Sequence, residues 1–155
     1  AFYLPALLAS ENDIKSFSET GQRRDLNRQK FIYERLLLTL KNEDSNASKN
    51  IKFLSKAMKV RASLKSFDPS KTMKCLSKDR SDLICIRRGD SEESILAIHN
   101  MTENKINFLI EDTQIIKAFN NSTILKDFLT GNKNNSLRIV LDPFQVLWLG
   151  IYIDD

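Results

Sequence analysis

The sequence has few residues of the types that interrupt secondary structure, form covalent cross-links or coordinate metal ions. Its 155 residues include four glycines, three prolines, two cysteines and one histidine. So little glycine and proline excludes a fibrous or low-complexity chain, and 41% hydrophobic with 28% charged residues is typical of a folded protein. His99 lacks thiol or acidic partners at the spacing of a metal site, so we expect a structural role for it. The composition predicts a packed protein without a metal or other cofactor.

The two cysteines do not require a disulfide. Cys75 and Cys85 could pair in principle, but a short loop between two apolar runs is as easily flanked by two buried free thiols. We therefore expect reduced cysteines in a cytoplasmic protein.

Long apolar runs and dense charge clusters are also missing. No apolar run approaches the roughly 20 residues that cross a bilayer, and residues 1–9, "AFYLPALLA", have no basic region before them and contain Pro5. The net charge of +4 is mild, and the lysines are spread along the chain, unlike a nucleic-acid footprint. We expect no membrane and no nucleic-acid partner. The apolar start without a methionine predicts that the chain begins inside a longer gene product.

The N-terminal part of the sequence alternates between apolar and polar segments. "AFYLP" at residues 1–5 predicts a buried strand that ends at Pro5. Residues 8–31 are polar and predict a long loop with a helical turn near residues 13–17. Residues 31–42 predict a helix, residues 42–50 a linker, and the apolar stripe that starts at Ile51 predicts an amphipathic helix ending before Pro69.

From Lys71 onward the pattern changes to short runs rich in Ile, Leu, Val and Phe, separated by turn signals. Several short strands at about 8 to 12 residue spacing indicate an antiparallel sandwich or barrel. The sequence therefore predicts an α+β chain with a boundary near residues 67–71.

Several conspicuous residues have plain structural explanations. Asn100 begins "NMT", a formal glycosylation sequon, but we expect it to shape a turn. The "RGD" at residues 88–90 stands between two predicted strands, which favours a hairpin turn. Trp148 lies in an apolar terminal run, where core packing explains it.

The polar stretch from Glu11 to Arg28, which includes most of "TGQRRDLNRQKF" at residues 20–31, is different because no such explanation covers it fully. A surface loop could carry arginines for solubility alone. Planar Arg side chains and Asn amides, however, are suited to polyol hydroxyls and to phosphate. We interpret the segment as a ligand-binding loop.

The residues resemble those of sucrose phosphorylases and their close relatives in the alpha-amylase family of glycoside hydrolases. That family carries a "G-x-P-x-x-Y" strand, then "L-x-x-x-N-D", a Thr, "G-R" and "I-N-R". Here the matching residues are Pro5 after Tyr3 in a shifted fit, Asn12, Asp13, Thr20, Arg24, Asn27 and Arg28. Residues 53–69 resemble the family's final barrel helix, and "ILAIHNMTEN", "LKDFLTG" and "LDPFQVLWL" resemble strands of its C-terminal β domain.

The resemblance implies the end of a (β/α)8 barrel at residues 1–69, with the last strand and helices, followed by an antiparallel β-sandwich at residues 70–155. It also implies retaining transfer of glucose from an alpha-glucoside to inorganic phosphate, with both catalytic carboxylates on earlier barrel strands outside this chain. The fragment alone is then inactive. Arg28 would bind a distal hydroxyl of the glucose, with Asn27 and Asp25 orienting it, and the sandwich would brace the barrel.

One departure leaves the substrate open. Many sucrose phosphorylases continue after "N-R" with His and Tyr, whereas this chain has Gln29, Lys30 and Phe31. Sucrose, glucosylglycerate and glucosylglycerol therefore all remain alternatives as the glucosyl donor. The oligomeric state is also open, and a homodimer is one alternative. The competing interpretation is a free-standing module, helical and then β, that binds or interacts without catalysis. Without their barrel neighbours, residues 1–40 are expected to be poorly ordered or repacked.

Overall fold

The computed structural model describes residues 2–90, 93–118 and 123–153. The chain divides into two compact units, one ending at Lys59 and the other starting at Val60. The described part of the first unit is helical, and the second unit is built mainly of antiparallel strands.

Short helices make up the first unit. They are α1 (Leu4–Leu7), α2 (Ile14–Thr20), a 3₁₀ turn (Arg23–Asn27), α3 (Tyr33–Lys41) and α4 (Asn46–Ser63), whose last residues belong to the second unit. Asp13 caps α2 by accepting a hydrogen bond from the Ser16 amide at 2.9 Å, and Gly21 ends it with a φ of +66°. The helical turn predicted near residues 13–17 is therefore confirmed, and it extends to Thr20.

The later helices follow the predicted pattern with one shift. The helix predicted at residues 31–42 is confirmed as α3. The start of α4 lies earlier than its apolar stripe because Ser45 accepts a hydrogen bond from the Ser48 amide at 3.1 Å, which caps the helix. Residues 46–50, predicted to be part of a linker, form its first turn.

The buried strand predicted at residues 1–5 is wrong over the described residues 2–5, and residue 1 lies outside them. Residues Leu4–Leu7 form α1, with Pro5 in its first turn, and Phe2 and Tyr3 are more than half exposed. A central barrel strand needs a neighbour on each side to satisfy its backbone groups, and no strand forms among residues 2–59. A helix satisfies those groups within the segment itself.

Little apolar surface is buried within the first unit. Its buried apolar side chains are Leu8, Ala47 and Ala57, whereas its exposed ones are Phe2, Tyr3, Leu4, Ile14, Ile32, Tyr33, Leu37, Leu38, Phe53 and Met58. Local stability follows from buried apolar contacts. We expect backbone amides of residues 2–40 to exchange with deuterium much faster than those of the strands in the second unit, measured by mass spectrometry on the 155-residue chain. Uniform strong protection across residues 2–40 would contradict this.

The described part of the second unit contains a 3₁₀ turn (Lys65–Phe67), two antiparallel sheets and a short helix. The elements are β1 (Met73–Cys75), β2 (Leu83–Arg88), β3 (Ile95–Asn100), β4 (Ile106–Leu109), α5 (Thr113–Ala118), β5 (Thr123–Asp127), β6 (Lys133–Asn134), β7 (Arg138–Leu141) and β8 (Val146–Ile153). One sheet has the order β1-β2-β3-β8-β5-β6, and β4 pairs with β7 in the other. The predicted α+β class with an antiparallel C-terminal sheet domain is confirmed.

The core of this unit lies where apolar residues alternate along the strands. In β2, Leu83 and Cys85 are buried while Ile84 is exposed, and in β7 Ile139 is buried while Val140 is exposed. The core draws on strands of both sheets, with Leu83, Cys85, Leu96, Ile98, Phe108, Ile110, Ile115, Leu125, Ile139, Leu141, Leu147 and Leu149. Burial of this size gives the unit a core of its own.

Two structural interpretations of single residues are confirmed, at Asn100 and in the "RGD" segment, whereas Trp148 is only half-buried and is not among the core residues as Leu147 and Leu149 are. Asn100 is buried and its side chain bonds to the carbonyls of Asn104 and Asp142 at 2.7 and 2.8 Å, so its amide nitrogen is committed to the turn. Gly89, in the hairpin between β2 and β3, has a φ of +86°. Trp148 lies in β8 and packs on Phe67, with ring centroids 4.8 Å apart.

The two thiols lie on opposite faces of their strands. Cys75 is paired in register with Ile86, whose neighbour Cys85 points the other way. Both cysteines are free, as expected, but Cys75 is exposed and only Cys85 is buried. Burial raises the pKa of the Cys85 thiol to about 12, with smaller contributions from Cys75 and Asp112.

This arrangement predicts a sharp difference in thiol reactivity. In the native chain, a disulfide reagent should modify Cys75 quickly and Cys85 only after unfolding, because the thiolate is the reactive form. The variant Cys75→Ser should lose the fast phase. Since the folded pKa of Cys85 lies above its ordinary value of 9.0, the stability that its neutral thiol contributes is present below pH 9.0 and is lost as the pH rises towards about 12. Rapid native modification of both thiols would contradict the assignment.

Candidate functional site

The segment singled out from the sequence forms a compact turn in the first unit. Gly21 redirects the chain after α2, and the 3₁₀ turn Arg23–Asn27 follows it. Backbone bonds close the turn, from the Asp25 amide to the Gln22 carbonyl at 2.9 Å and from the Arg28 amide to the Asp25 carbonyl at 3.2 Å. The turn therefore ends at Asn27, and Arg28 is the first residue of the segment that leads to α3.

Asp25 stabilises this turn from within. Its Oδ2 accepts a hydrogen bond from the Thr20 hydroxyl at 2.6 Å, and its Oδ1 lies 3.9 Å from Nε of Arg24. The carboxylate thereby links the end of α2 to the turn. A half-buried carboxylate with a short hydroxyl bond restrains the backbone beside it.

Two longer-range bonds hold the other end of the turn. The Tyr3 hydroxyl donates to the Asn27 carbonyl at 2.6 Å, and the Asp13 amide donates to the Leu26 carbonyl at 2.8 Å. Residues far apart in sequence thus fix the backbone on the N-terminal side of Arg28.

The three predicted substrate-binding residues lie together in this turn but do not bond to one another through their side chains. Arg28 and Asn27 are exposed, and Asp25 is half-buried. Among the described residues, no side-chain hydrogen bond or ion pair joins Arg28 to Asp25 or Asn27, since Asp25 bonds to Thr20 and Arg24. The glucose-binding role of Arg28, and the orienting role of the other two, remain predictions.

A cavity of about 230 Å³ adjoins the turn. The polar residues that line it are Tyr3, Ser10, Glu11, Asn12 and Asn27. Amides and hydroxyls both donate and accept hydrogen bonds and a carboxylate accepts them, so together they can bind sugar hydroxyls. Glu11, Asn12 and Asn27 lie in the stretch that the sequence indicates as a ligand-binding loop, whereas Tyr3 and Ser10 lie outside it. The sequence misses Tyr3 because it predicts a buried strand over residues 1–5.

The neighbouring Asp13 remains charged. The Ser16 amide and hydroxyl bond its two oxygens at 2.9 and 2.7 Å and hold its pKa below the ordinary value, with smaller contributions from Lys15 and Lys30. The carboxylate is thus engaged in capping α2.

The described residues lack both a metal-binding cluster and a membrane-spanning helix. Within residues 2–90, 93–118 and 123–153, no three or more His, Cys, Asp or Glu side chains are placed to hold a metal ion. The same ranges contain no helix that is long and apolar enough to cross a membrane.

Two curated relatives match nearly the whole chain. The glucosylglycerate phosphorylase of Allomeiothermus silvanus is 26% identical over 147 residues, which cover 95% of this chain and 23% of that protein. The glucosylglycerate phosphorylase of Spirochaeta thermophila is 25% identical over 160 aligned residues, covering 98% of this chain and 27% of that protein. The chain therefore spans about a quarter of the length of these relatives.

Solved structures share the fold at lower identity. A trehalulose synthase from Pseudomonas mesoacidophila superposes with a TM-score of 0.57 at 11% identity, over 75% of this chain and 19% of that one. An Anoxybacillus alpha-amylase gives a TM-score of 0.55 at 15% identity, over 74% and 24% of the two chains. No family model matches the sequence. The chain thus has the fold of part of alpha-amylase family enzymes, and it resembles the C-terminal portion of the phosphorylases related to sucrose phosphorylase, as its motifs indicate.

Proposed function

We propose that the chain is the C-terminal part of a retaining glucoside phosphorylase, which transfers glucose from glucosylglycerate to inorganic phosphate. The observation that carries the proposal is the match to two glucosylglycerate phosphorylases over 95% and 98% of the chain. Because the chain spans only about a quarter of them, the activity is proposed for the full-length protein.

The first unit contributes the substrate contacts in this proposal. Arg28 leaves a turn that is fixed by the Asp25 carboxylate on one side and by the Tyr3 hydroxyl on the other. A guanidinium held there offers two parallel N–H donors to a glucose hydroxyl, while Asn27 and Asp25 set the path of the backbone. In this role Arg28 positions the sugar and takes no part in bond cleavage.

The chemistry itself requires two carboxylates that flank the glycosidic bond, one as nucleophile and one as acid and base. We assign both to earlier strands of a complete barrel, so that the present chain by itself does not turn over substrate. The second unit, with its own core, braces the barrel in this scheme.

The choice of glucosylglycerate over sucrose rests on two observations. Both curated relatives carry that substrate in their names. In addition, Gln29, Lys30 and Phe31 depart from the His and Tyr that many sucrose phosphorylases place after Arg28.

Phosphorolysis by the full-length protein tests the proposal. The protein is incubated with phosphate and one of three glucosyl donors, which are glucosylglycerate, glucosylglycerol and sucrose. The glucose 1-phosphate formed in each reaction is measured. We expect the highest kcat/KM with glucosylglycerate. The phosphorylase interpretation fails if none of the three donors yields glucose 1-phosphate. It also fails if the upstream reading frame carries a start codon next to Ala1 instead of barrel strands, and the interpretation as a non-catalytic module then takes its place.

A further inference from the structure

The second unit contains a cavity of about 380 Å³, and every residue that lines it belongs to this unit. Its wall includes Gly150 of β8, which alternates along the strand with the core residues Leu147 and Leu149, so position 150 faces away from the core. Leu64, which follows α4, and Phe128, which follows β5, form other parts of the wall. This volume falls within the range of small-molecule sites.

The missing side chain at Gly150 shapes the apolar part of the wall. A Cβ atom at this position would lie 2.6 Å from Cδ1 of Ile95 and 2.8 Å from Cε2 of Phe128. Because glycine has no Cβ atom, both side chains can lie against the backbone of β8, and both line the cavity. An aliphatic side chain beside an aromatic ring offers an apolar surface on which the C–H face of a sugar ring can be removed from water.

Two opposite charges line the same cavity. Lys65 and Glu93 are both exposed, and neither forms an ion pair within the part of the chain that the structure describes. Their charges cancel, so the cavity has no net preference for an anion or a cation. The ammonium group of Lys65 donates hydrogen bonds and the carboxylate of Glu93 accepts them. A neutral ligand with both donors and acceptors therefore fits this wall.

The serine hydroxyls of the wall favour a ligand that donates hydrogen bonds. The Ser66 hydroxyl donates to the backbone carbonyl of Glu93. The Ser63 hydroxyl donates to the Val60 carbonyl at 2.8 Å. Since a hydroxyl has one proton and two lone pairs, each of these oxygens can act towards a ligand as an acceptor. Ligand hydroxyl groups supply the donors that such a wall requires.

We propose that this cavity is a non-catalytic carbohydrate-binding site for a neutral glycosyl unit. A pyranose combines an apolar C–H face, for Ile95 and Phe128, with hydroxyls that both donate and accept. Glu93 is the one carboxylate among the described residues of the wall, whereas retaining cleavage of a glycoside requires two. The site therefore binds sugar without cleaving it. The proposal does not depend on phosphorylase activity, because the site lies in a unit with a core of its own.

Titration of the ¹⁵N-labelled 155-residue chain with methyl alpha-D-glucoside and with maltose, followed by nuclear magnetic resonance, tests the site. Phe128→Ala removes the aromatic surface, and Glu93→Gln removes the charge while keeping the size of the side chain. Phe144→Ala is the matched control, since Phe144 is 65% exposed and does not line the cavity. Arg28→Ala tests for binding at the turn of the first unit instead. Circular dichroism checks folding, and Glu93→Gln, at an exposed position, keeps the test valid if Phe128→Ala unfolds.

We expect saturable shifts of the amides of Ile95 and Gly150, with binding weakened roughly tenfold in Phe128→Ala. Glu93→Gln should weaken it several-fold because hydrogen bonds to a charged acceptor are the stronger ones. Phe144→Ala and Arg28→Ala should match the wild type. Absence of saturable binding, shifts confined to residues 20–31, or equal affinity in the wild type and Glu93→Gln would overturn the proposal. Binding at this cavity in a protein that makes no glucose 1-phosphate would support the site and refute the proposed function.

Discussion

Replacement of Arg28 by alanine in the full-length protein should lower kcat/KM for phosphorolysis of glucosylglycerate by roughly two to three orders of magnitude. In the proposed role, its guanidinium donates to a glucose hydroxyl from a turn that Asp25 and Tyr3 hold in place. A sugar displaced by about 1 Å from its productive position can lose roughly this much in rate. Initial rates across glucosylglycerate concentrations give the change in kcat and KM separately.

Matched variants separate binding of glucose from general electrostatics. Arg23, in the same 3₁₀ turn, is also exposed, so Arg23→Ala should stay within a few-fold of wild type. Arg28→Lys keeps the charge but loses the planar pair of donors, and it should fall between wild type and Arg28→Ala. Equal effects of Arg23→Ala and Arg28→Ala would remove Arg28 from the glucose site.

Asp127 is expected to give the largest loss of stability in the second unit. Its buried carboxylate accepts bonds from the amides of Leu129, Thr130 and Trp148 at 3.2, 3.2 and 2.9 Å, and from the Thr130 hydroxyl at 2.6 Å. Asp127→Ala leaves these donors without an acceptor, which should lower the free energy of unfolding by about 3 kcal/mol or more. Urea unfolding of the 155-residue chain, followed by Trp148 fluorescence, measures the change.

An exposed aspartate provides the control for that experiment. Asp142 forms an ion pair with Lys105 at 3.0 Å, and its side chain is 62% exposed. Asp142→Ala should therefore change stability by less than about 1 kcal/mol. Similar losses in the two variants would show that the bonds of Asp127 do not carry the stability assigned to them.

The fold of the second unit could be predicted because its signals are local. Paired strands are indicated by alternating apolar residues, as at Leu83 and Cys85, and by turn residues, as at Gly89. These signals do not depend on residues outside the segment. The segment at residues 1–5 could not be predicted in this way. Its apolar composition suits a strand only if neighbouring strands are present, and in this chain Pro5 and the backbone form α1 instead.

The candidate site was only partly predictable for a related reason. The density of Arg and Asn in residues 20–31 indicates a ligand-binding segment from sequence alone. The bond from Tyr3 to the Asn27 carbonyl joins residues 24 positions apart, and the cavity beside the turn is lined by Tyr3, Ser10 and Asn27 from separate segments. Such contacts between distant segments leave no periodic pattern in the sequence.

The anomeric form of the sugar phosphate is the most direct test of the central claim, which is retaining phosphorolysis by the protein that contains this chain. Full-length protein is incubated with glucosylglycerate and phosphate, and the product is followed by nuclear magnetic resonance from the first minutes. A retaining mechanism with an alpha-glucoside predicts alpha-glucose 1-phosphate. The beta anomer, free glucose alone, or no product would contradict the account.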